Sequence, residues 1–237
     1  MEFSRTTIST ITGLALFWCL SLFFLSDPMW RWCIAIMAGC MTATIYLKAF
    51  YIGTDSLRGR FHLILGTGGF LLTISISCTL MAISEPLMLS LHCLTRIVLL
   101  VSVLLMFLGL KKQGYTLSIG QWGEVLLVYA LITGIGLWFF YVTFDVTDLL
   151  LTVLVYLSLL VLLVTISVVR IYLGSNLGWL WTAGAVAVLF ITLGDMGMAY
   201  ASSANLTTSS FKSLEIIQYG GWGTLCLIMT MVSLQFE

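Results

Sequence analysis

Residues 149–169 read LLLTVLVYLSLLVLLVTISVV, a run that is apolar on every side of a helix. A strand of a transmembrane β-barrel would instead alternate polar and apolar residues. At about 1.5 Å per residue, a helix of this length spans roughly 30 Å, the thickness of the hydrocarbon core of a bilayer. The run therefore predicts a transmembrane helix.

Seven more stretches of similar length and composition surround this run. Of the 237 residues, 60% are hydrophobic and 8% are charged, whereas soluble domains carry about 25% charge. We therefore predict an all-α fold, a polytopic membrane helix bundle with eight transmembrane helices. The predicted ranges are 8–26, 29–52, 61–84, 88–110, 122–143, 148–172, 178–201 and 212–235.

The segments between these helices are too short to fold alone; the longest are 53–60, 111–121 and 202–211. Residues 1–237 are therefore expected to form a single transmembrane domain without a soluble domain. We expect an integral, multi-pass protein of the plasma or inner membrane, surrounded by membrane lipids. Ten Lys and Arg balance ten Asp and Glu, so there is no basic excess that would favour binding to nucleic acid.

The basic residues predict the orientation of the bundle. The first stretch lacks the small-residue cleavage pattern of a signal peptide, so we interpret it as a retained helix. Eight helices place both chain ends on one side, and seven of the ten basic residues fall there, which predicts a cytoplasmic N-terminus and C-terminus. Those seven are Arg5, Lys48, Arg58, Arg60, Lys111, Lys112 and Arg170.

Four of these basic residues are candidates for a contact surface. Arg58 and Arg60 precede the third predicted helix, and Lys111 and Lys112 follow the fourth. Basic residues in such positions anchor helices and contact lipid headgroups. They would also suit the docking of a protein partner in the membrane or cytoplasm, and the sequence leaves both interpretations open.

The two halves of the chain, residues 1–116 and 117–237, resemble degenerate copies of each other. Four helices per half would give both copies the same orientation, a parallel 4+4 internal repeat. Such repeats often carry a site at their interface, and they also occur in bundles that bind nothing. The matching triplets are Tyr51-Ile52-Gly53 with Tyr172-Leu173-Gly174, and Leu80-Met81-Ala82 with Gly197-Met198-Ala199.

Ionisable residues inside predicted helices are the strongest functional signal, because each costs roughly 2.5–3.5 kcal/mol at mid-membrane. Asp195 and Arg96 fall at matching depths from the predicted outer face. An ion pair between them would explain how both are tolerated. Gly194 and Gly197, on either side of Asp195, would let a neighbouring helix come close.

Further polar residues are expected near this pair, at similar depth. Together they would form a polar cup that opens outward and binds a ligand, an ion or a proton. The alternative is a buried structural pair that sets the helix register. The further residues are His92, Glu215, Gln218, Tyr219 and Tyr200.

Several cofactor and catalytic chemistries do not fit the sequence. All four lysines fall at predicted helix ends, which disfavours a retinal protein. His62 and His92 differ in predicted depth by about 25–30 Å, which disfavours a bis-histidine haem. Metalloprotease, nucleophile-elbow and Walker motifs are missing from the sequence. We therefore predict no catalytic residue, no metal and no cofactor.

The second half contains LFITLGD at residues 189–195 and LEIIQYGGW at residues 214–222. These motifs resemble the last two helices of the bacterial multi-helix membrane sensory domains that precede diguanylate cyclases and histidine kinases. The segment Arg58-Gly59-Arg60-Phe61 is similar to the start of an earlier helix of those domains. We expect no output domain after the last predicted helix, so the resemblance implies signalling through a separate partner.

The dipeptide Gly194-Asp195 also resembles a late motif of the eight-helix lysoplasmalogenases, which hydrolyse vinyl-ether lipids. Their earlier carboxylate has no counterpart here, because the repeat-equivalent position is Cys78. Hydrolysis by acid and base catalysis would need two carboxyl groups in different protonation states.

The sequence therefore favours a non-enzymatic sensory or accessory subunit of the membrane, with a ligand-binding site around Asp195 and Arg96. A small-molecule or ion transporter is the first alternative, and a lipid-active hydrolase is the second.

Overall fold

The computed structural model describes residues 29–81, 84–143, 149–173, 178–204 and 208–235. Within these ranges the chain forms seven α-helices and no strand. The first predicted helix, 8–26, lies outside the described residues. The seven helices are α1 (Met29–Ile52), α2 (Leu57–Leu80), α3 (Glu85–Lys112), α4 (Ile119–Thr143), α5 (Leu149–Tyr172), α6 (Gly178–Ser203) and α7 (Thr208–Gln235).

Six of these helices, α1 to α6, are long and apolar enough to cross a membrane, judged by length and composition. The predicted all-α, multi-pass membrane architecture is confirmed at this coarse level. The total of eight transmembrane helices, the internal repeat and the orientation stay predictions.

Local signals explain where the helices begin and end. The helix α2 begins four residues earlier than predicted, because the side chain of Ser56 accepts a hydrogen bond from the Gly59 N–H and caps the first turn. Gly53 and Gly114, just after α1 and α3, have φ angles of +91° and +87°. Glycine adopts this left-handed conformation without steric cost, so the chain reverses direction at both positions.

Six of the helices form a closed ring. Going around it, the packing order is α1, α2, α3, α5, α6 and α7, and α7 packs back against α1. The fourth helix lies outside the ring, mainly against α5 and to a lesser extent against α6. Its outward side chains are strongly exposed, with Leu127 at 74% and Leu131 at 66%, as expected for a helix that faces lipid.

The apolar core of the described residues has two clusters, a larger one inside the ring and a smaller one formed by α3, α4, α5 and α6. Its fully buried large side chains include Trp181 of α6 and Trp222 of α7. The ends of the bundle differ in charge, and the end with the basic residues is called the basic end here. Its basic residues are Lys48, Arg58, Arg60, Lys111, Lys112 and Arg170.

Candidate functional site

Arg96 of α3 and Asp195 of α6 form a buried ion pair, which confirms the predicted pairing. The Nη2 atom of Arg96 lies 2.9 Å from Oδ2 and 3.1 Å from Oδ1 of Asp195. The Arg96 side chain is 1% exposed and that of Asp195 is 0% exposed. Because α3 packs against α2 and α5, the Arg96 side chain must extend across the interior of the ring to meet α6.

Two further side chains connect this pair to other helices. Ser158 of α5 accepts a hydrogen bond from Arg96 Nε at 3.0 Å and donates one to Asp195 Oδ2. Gln218 of α7 donates its amide N–H to Asp195 Oδ1. Both carboxylate oxygens therefore have two donors each, and four helices of the ring meet at one carboxylate. We call Arg96, Ser158, Asp195 and Gln218 the buried charge layer.

An aromatic ring completes the surroundings of Arg96. The guanidinium carbon lies 4.3 Å from the ring centroid of Trp222, a distance at which a cation is attracted by the indole face. Two buried donors of this group, Arg96 Nη1 and Trp222 Nε1, have no hydrogen-bond partner among the described residues. The guanidinium is thus electrically balanced by Asp195 but not fully hydrogen-bonded.

Close contact between α6 and α7 positions Gln218. A Cβ atom added to Gly194 would lie 2.5 Å from Gln218 Cβ and 2.8 Å from its Cα. A Cβ added to Gly221 would lie 2.8 Å from the carbonyl oxygen of Ala187. The two helix backbones therefore touch, and the prediction that Gly194 and Gly197 admit a neighbouring helix is confirmed; the side chain of Leu214 fills the space beside Gly197.

A second ion pair lies nearer the end opposite to the basic end. Arg31 of α1 contacts Glu215 of α7 at 2.8 Å, and their side chains are 17% and 27% exposed. The Arg31 guanidinium also lies 6.0 Å from the ring centroid of Tyr219, which is itself buried and hydrogen-bonded to Thr79. This outer pair, Arg31–Glu215, connects α1 to α7.

The remaining cup residues separate into buried and exposed ones. His92 is 4% exposed and lies one helical turn from Arg96, with its Nδ1 atom lacking a partner among the described residues. Tyr200 is 47% exposed and lies on the surface of the bundle. The structure thus differs from the predicted cup, since Arg96 and Asp195 are enclosed and Tyr200 is not part of their surroundings.

The buried charge layer lies about a third of the way along the helices, counted from the ends opposite to the basic end. From the helix ends opposite to the basic end, Arg96, Ser158, Asp195 and Gln218 are about 12–16 Å deep at ~1.5 Å per residue. Between this layer and the basic end, most of the described side chains in the ring interior are apolar. The small central void there is lined by Leu65, Leu99, Val161, Val188 and Leu225, and also by Thr165, whose hydroxyl donates a hydrogen bond to the Val161 carbonyl.

The four basic residues that were predicted to contact lipid or a partner lie at the basic end. Arg58, Arg60, Lys111 and Lys112 are all exposed. Arg58 lines a cleft between α2 and α3, and Lys111 lines a second cleft on the other side of α3. None of the four contacts the buried charge layer. The predicted site residues therefore belong to two separate parts of the bundle, the basic end and the region around the buried charge layer.

Sequence reasoning missed three members of these sites. Ser158 and Trp222 belong to the surroundings of Arg96, and Arg31 is the partner of Glu215. Ser158 carried a weak signal, because it is a hydroxyl within the apolar run of α5 at a depth similar to that of Arg96. Trp222 had none, because a tryptophan in an apolar helix is ordinarily a packing residue.

No protein-family model matches the chain, and comparisons with the curated proteins and with the solved structures likewise found no match. Among the described residues, no group of three or more His, Cys, Asp or Glu side chains is placed to hold a metal ion.

Proposed function

We propose that this protein is a membrane sensory or accessory subunit that works through a partner protein, and that the buried charge layer is its switchable contact. The observation that carries the proposal is the enclosed Arg96–Asp195 pair, which joins α3 to α6 and, through Ser158 and Gln218, to α5 and α7.

The free-energy cost of burying this ion pair favours a functional role. A buried ion pair often adds no stability compared with well-packed apolar side chains of similar size. Ionisable side chains inside a membrane segment are expensive, and they usually mark sites of function. Arg96 and Asp195 are therefore better explained by a functional role than by a contribution to stability.

The pair also favours two discrete arrangements of the helices. Separating a buried ion pair leaves uncompensated charge, at a cost of about 3–5 kcal/mol, so intermediate positions of α3 relative to α6 are disfavoured. A ligand with hydrogen-bond acceptors would gain the unused donors Arg96 Nη1 and Trp222 Nε1. Such a ligand would change the balance between the two arrangements, as a sensory module requires.

The interior of the ring supports a sensory role more than transport. The small void between the buried charge layer and the basic end is lined mostly by apolar side chains, and the hydroxyl of Thr165 there donates to the Val161 carbonyl, so the described residues provide few polar groups for an ion in this conformation. Asp195 accepts hydrogen bonds from three side chains, and Glu215 is paired with Arg31. A hydrolase would need such carboxylates available for proton transfer to a lipid.

The proposal includes eight transmembrane helices, cytoplasmic chain ends and a 4+4 repeat. The order of packing supports the repeat, because α1, α2 and α3 form one arc of the ring and α5, α6 and α7 form the other. A two-fold rotation that places α1, α2 and α3 on α5, α6 and α7 would also place the α3–α5 contact on the α7–α1 contact. The fourth helix would then have its counterpart in the predicted first helix, 8–26.

The test is quantitative co-purification from native membranes in a mild detergent, with wild-type protein, Asp195→Asn and Glu124→Gln. Glu124 pairs with Arg170 at the surface, far from the buried charge layer, so its variant removes the same charge without touching the proposed contact. We expect one partner in fixed ratio with wild type and Glu124→Gln, and a clear loss of that partner with Asp195→Asn.

Two results would replace the proposal with an alternative. Proton entry into liposomes, read by an entrapped pH-sensitive dye and lost in Asp195→Asn, would establish a transporter. Hydrolysis of lysoplasmalogen by the purified protein would establish the lipid hydrolase. A wild-type protein that purifies without any partner in fixed ratio would also overturn the subunit role.

A further inference from the structure

We infer that the cleft at the basic end between α2 and α3 binds an anionic glycerophospholipid, with the headgroup phosphate on Arg58 and an acyl chain along the apolar wall. The inference concerns a different part of the molecule from the buried charge layer, and it does not depend on the proposed function.

The cleft combines an apolar wall with a polar rim. Its cavity volume is about 50 Å³, and the cleft opens to solvent. Phe61 of α2 and Met106 and Leu110 of α3 form the wall, and Arg58 and Gln113 stand exposed at the rim. A phospholipid has the matching chemistry, because its phosphate accepts hydrogen bonds from a guanidinium and an amide while its chain buries apolar surface.

The backbone around Arg58 is held in place by the turn before α2. Gly53 O accepts hydrogen bonds from the Ser56 N–H at 3.2 Å and from its hydroxyl at 2.9 Å. The Ser56 hydroxyl in turn accepts the Gly59 N–H at 2.9 Å. The Arg58 carbonyl lies 2.7 Å from His62 Nδ1. A guanidinium carried by an ordered backbone loses less entropy when it binds an anion.

The far side of the cleft is formed by Tyr172 at the end of α5. Its ring stacks on Trp181 of α6, with 5.7 Å between centroids and 8° between planes. The phenol is therefore fixed in the same cleft that Arg58 lines. Three helices of the ring thus contribute to one site, which distinguishes the cleft from a patch of surface cations.

The charge of this end is complementary to an anionic headgroup. Among the described residues it carries six basic side chains and two acidic ones, Asp55 and Glu124, a surplus of four positive charges. Glu124 is already paired with Arg170 at 2.7 Å. Basic pockets between transmembrane helices are typical binding places for anionic lipid headgroups, and a zwitterionic lipid would gain less from this surplus.

The experiment measures binding of phosphatidylglycerol and phosphatidylcholine to the purified full-length protein in neutral detergent, by native mass spectrometry. Arg58→Gln removes the rim cation, and Arg60→Gln is the matched control, because it removes the same charge two residues away and Arg60 does not line the cleft. A second variant, Gln113→Glu, places a negative charge on the rim and leaves the residues of the turn before α2 unchanged.

We expect wild type to prefer phosphatidylglycerol about tenfold, because its headgroup has a net negative charge, whereas the choline of phosphatidylcholine cancels the charge of the phosphate. Arg58→Gln and Gln113→Glu should abolish that preference. Arg60→Gln should change it less than about twofold at roughly 0.15 M salt, where exposed charges are screened. These results together would support the inference.

Three outcomes would overturn it. Equal binding of the two lipids would show that the charge of the headgroup does not affect binding. Equal losses in Arg58→Gln and Arg60→Gln would indicate general surface attraction instead of a site. Displacement of phosphatidylglycerol by glycerol phosphate at equal concentration would show that the site takes a free phosphate and that the acyl chain contributes nothing.

Discussion

The double replacement of Arg96 and Asp195 should cost less stability than the two single replacements together. Arg96→Met keeps an unbranched, though shorter, side chain and leaves the Asp195 carboxylate buried without a counter-charge, because both groups are at most 1% exposed. Asp195→Asn keeps the shape and leaves the guanidinium uncompensated. Each single change should lower the free energy of unfolding by about 3–5 kcal/mol.

In the double variant no buried charge remains unpaired. Asn at position 195 still offers an oxygen to Ser158, while the hydrogen bonds of Arg96 are lost, at a cost of about 1–3 kcal/mol. The sum of the single effects should therefore exceed the double effect by about 3 kcal/mol or more. This coupling energy measures the pair itself, free of the individual costs of each substitution.

The assay is reversible unfolding in mixed micelles, in which dodecyl sulfate is titrated and helix content is followed by far-ultraviolet circular dichroism. The matched control is the same cycle on Arg31 and Glu215, whose side chains are 17% and 27% exposed. Partly exposed pairs contribute about 1 kcal/mol or less. A coupling for Arg96 and Asp195 no larger than that of the control pair would refute the reasoning.

Three more predictions follow from the packing and the expected topology. Gly194→Ala should lower the free energy of unfolding by about 1–3 kcal/mol, because its Cβ would lie 2.5 Å from Gln218 Cβ. The control Gly120→Ala places its Cβ in open space and should change the free energy of unfolding by less than about 0.5 kcal/mol. Both variants are compared with wild type in the same micelle titration. Gly59→Ala should loosen the turn between α1 and α2, since its Cβ would lie 2.0 Å from the Gly53 carbonyl oxygen, and limited proteolysis should then cut that turn faster than in wild type. Reporter tags on the two chain ends should both signal from the cytoplasm, and signals from opposite compartments would contradict an even number of transmembrane helices.

Much of the secondary structure could be predicted from composition alone. The range 29–52 was predicted for α1 and is observed as Met29–Ile52, because a long apolar run in lipid must satisfy its backbone hydrogen bonds internally and therefore forms a helix. The boundary of α2 was wrong by four residues, because the cap made by Ser56 is a local polar signal that a count of apolar residues does not detect.

The candidate site was predictable only for its charged members. Arg96 and Asp195 stand out in apolar helices, and their similar depth was enough to predict the pair. The role of Ser158 and the position of Trp222 beneath the guanidinium depend on how α5 and α7 are rotated within the ring. Rotation of a helix that is apolar on all sides leaves no trace in hydropathy, so these contacts could not be derived.

That the chain forms apolar helices follows from hydropathy and helix length, because both are properties of single segments. Which helices are neighbours does not follow from them, since lipid tails are as apolar as the helices and the arrangement depends on close packing between distant segments. The ring that excludes α4 is one result of that packing. The meeting of Arg96 with Asp195, 99 positions apart in the chain, is another, because it requires α3, α5, α6 and α7 to surround one carboxylate.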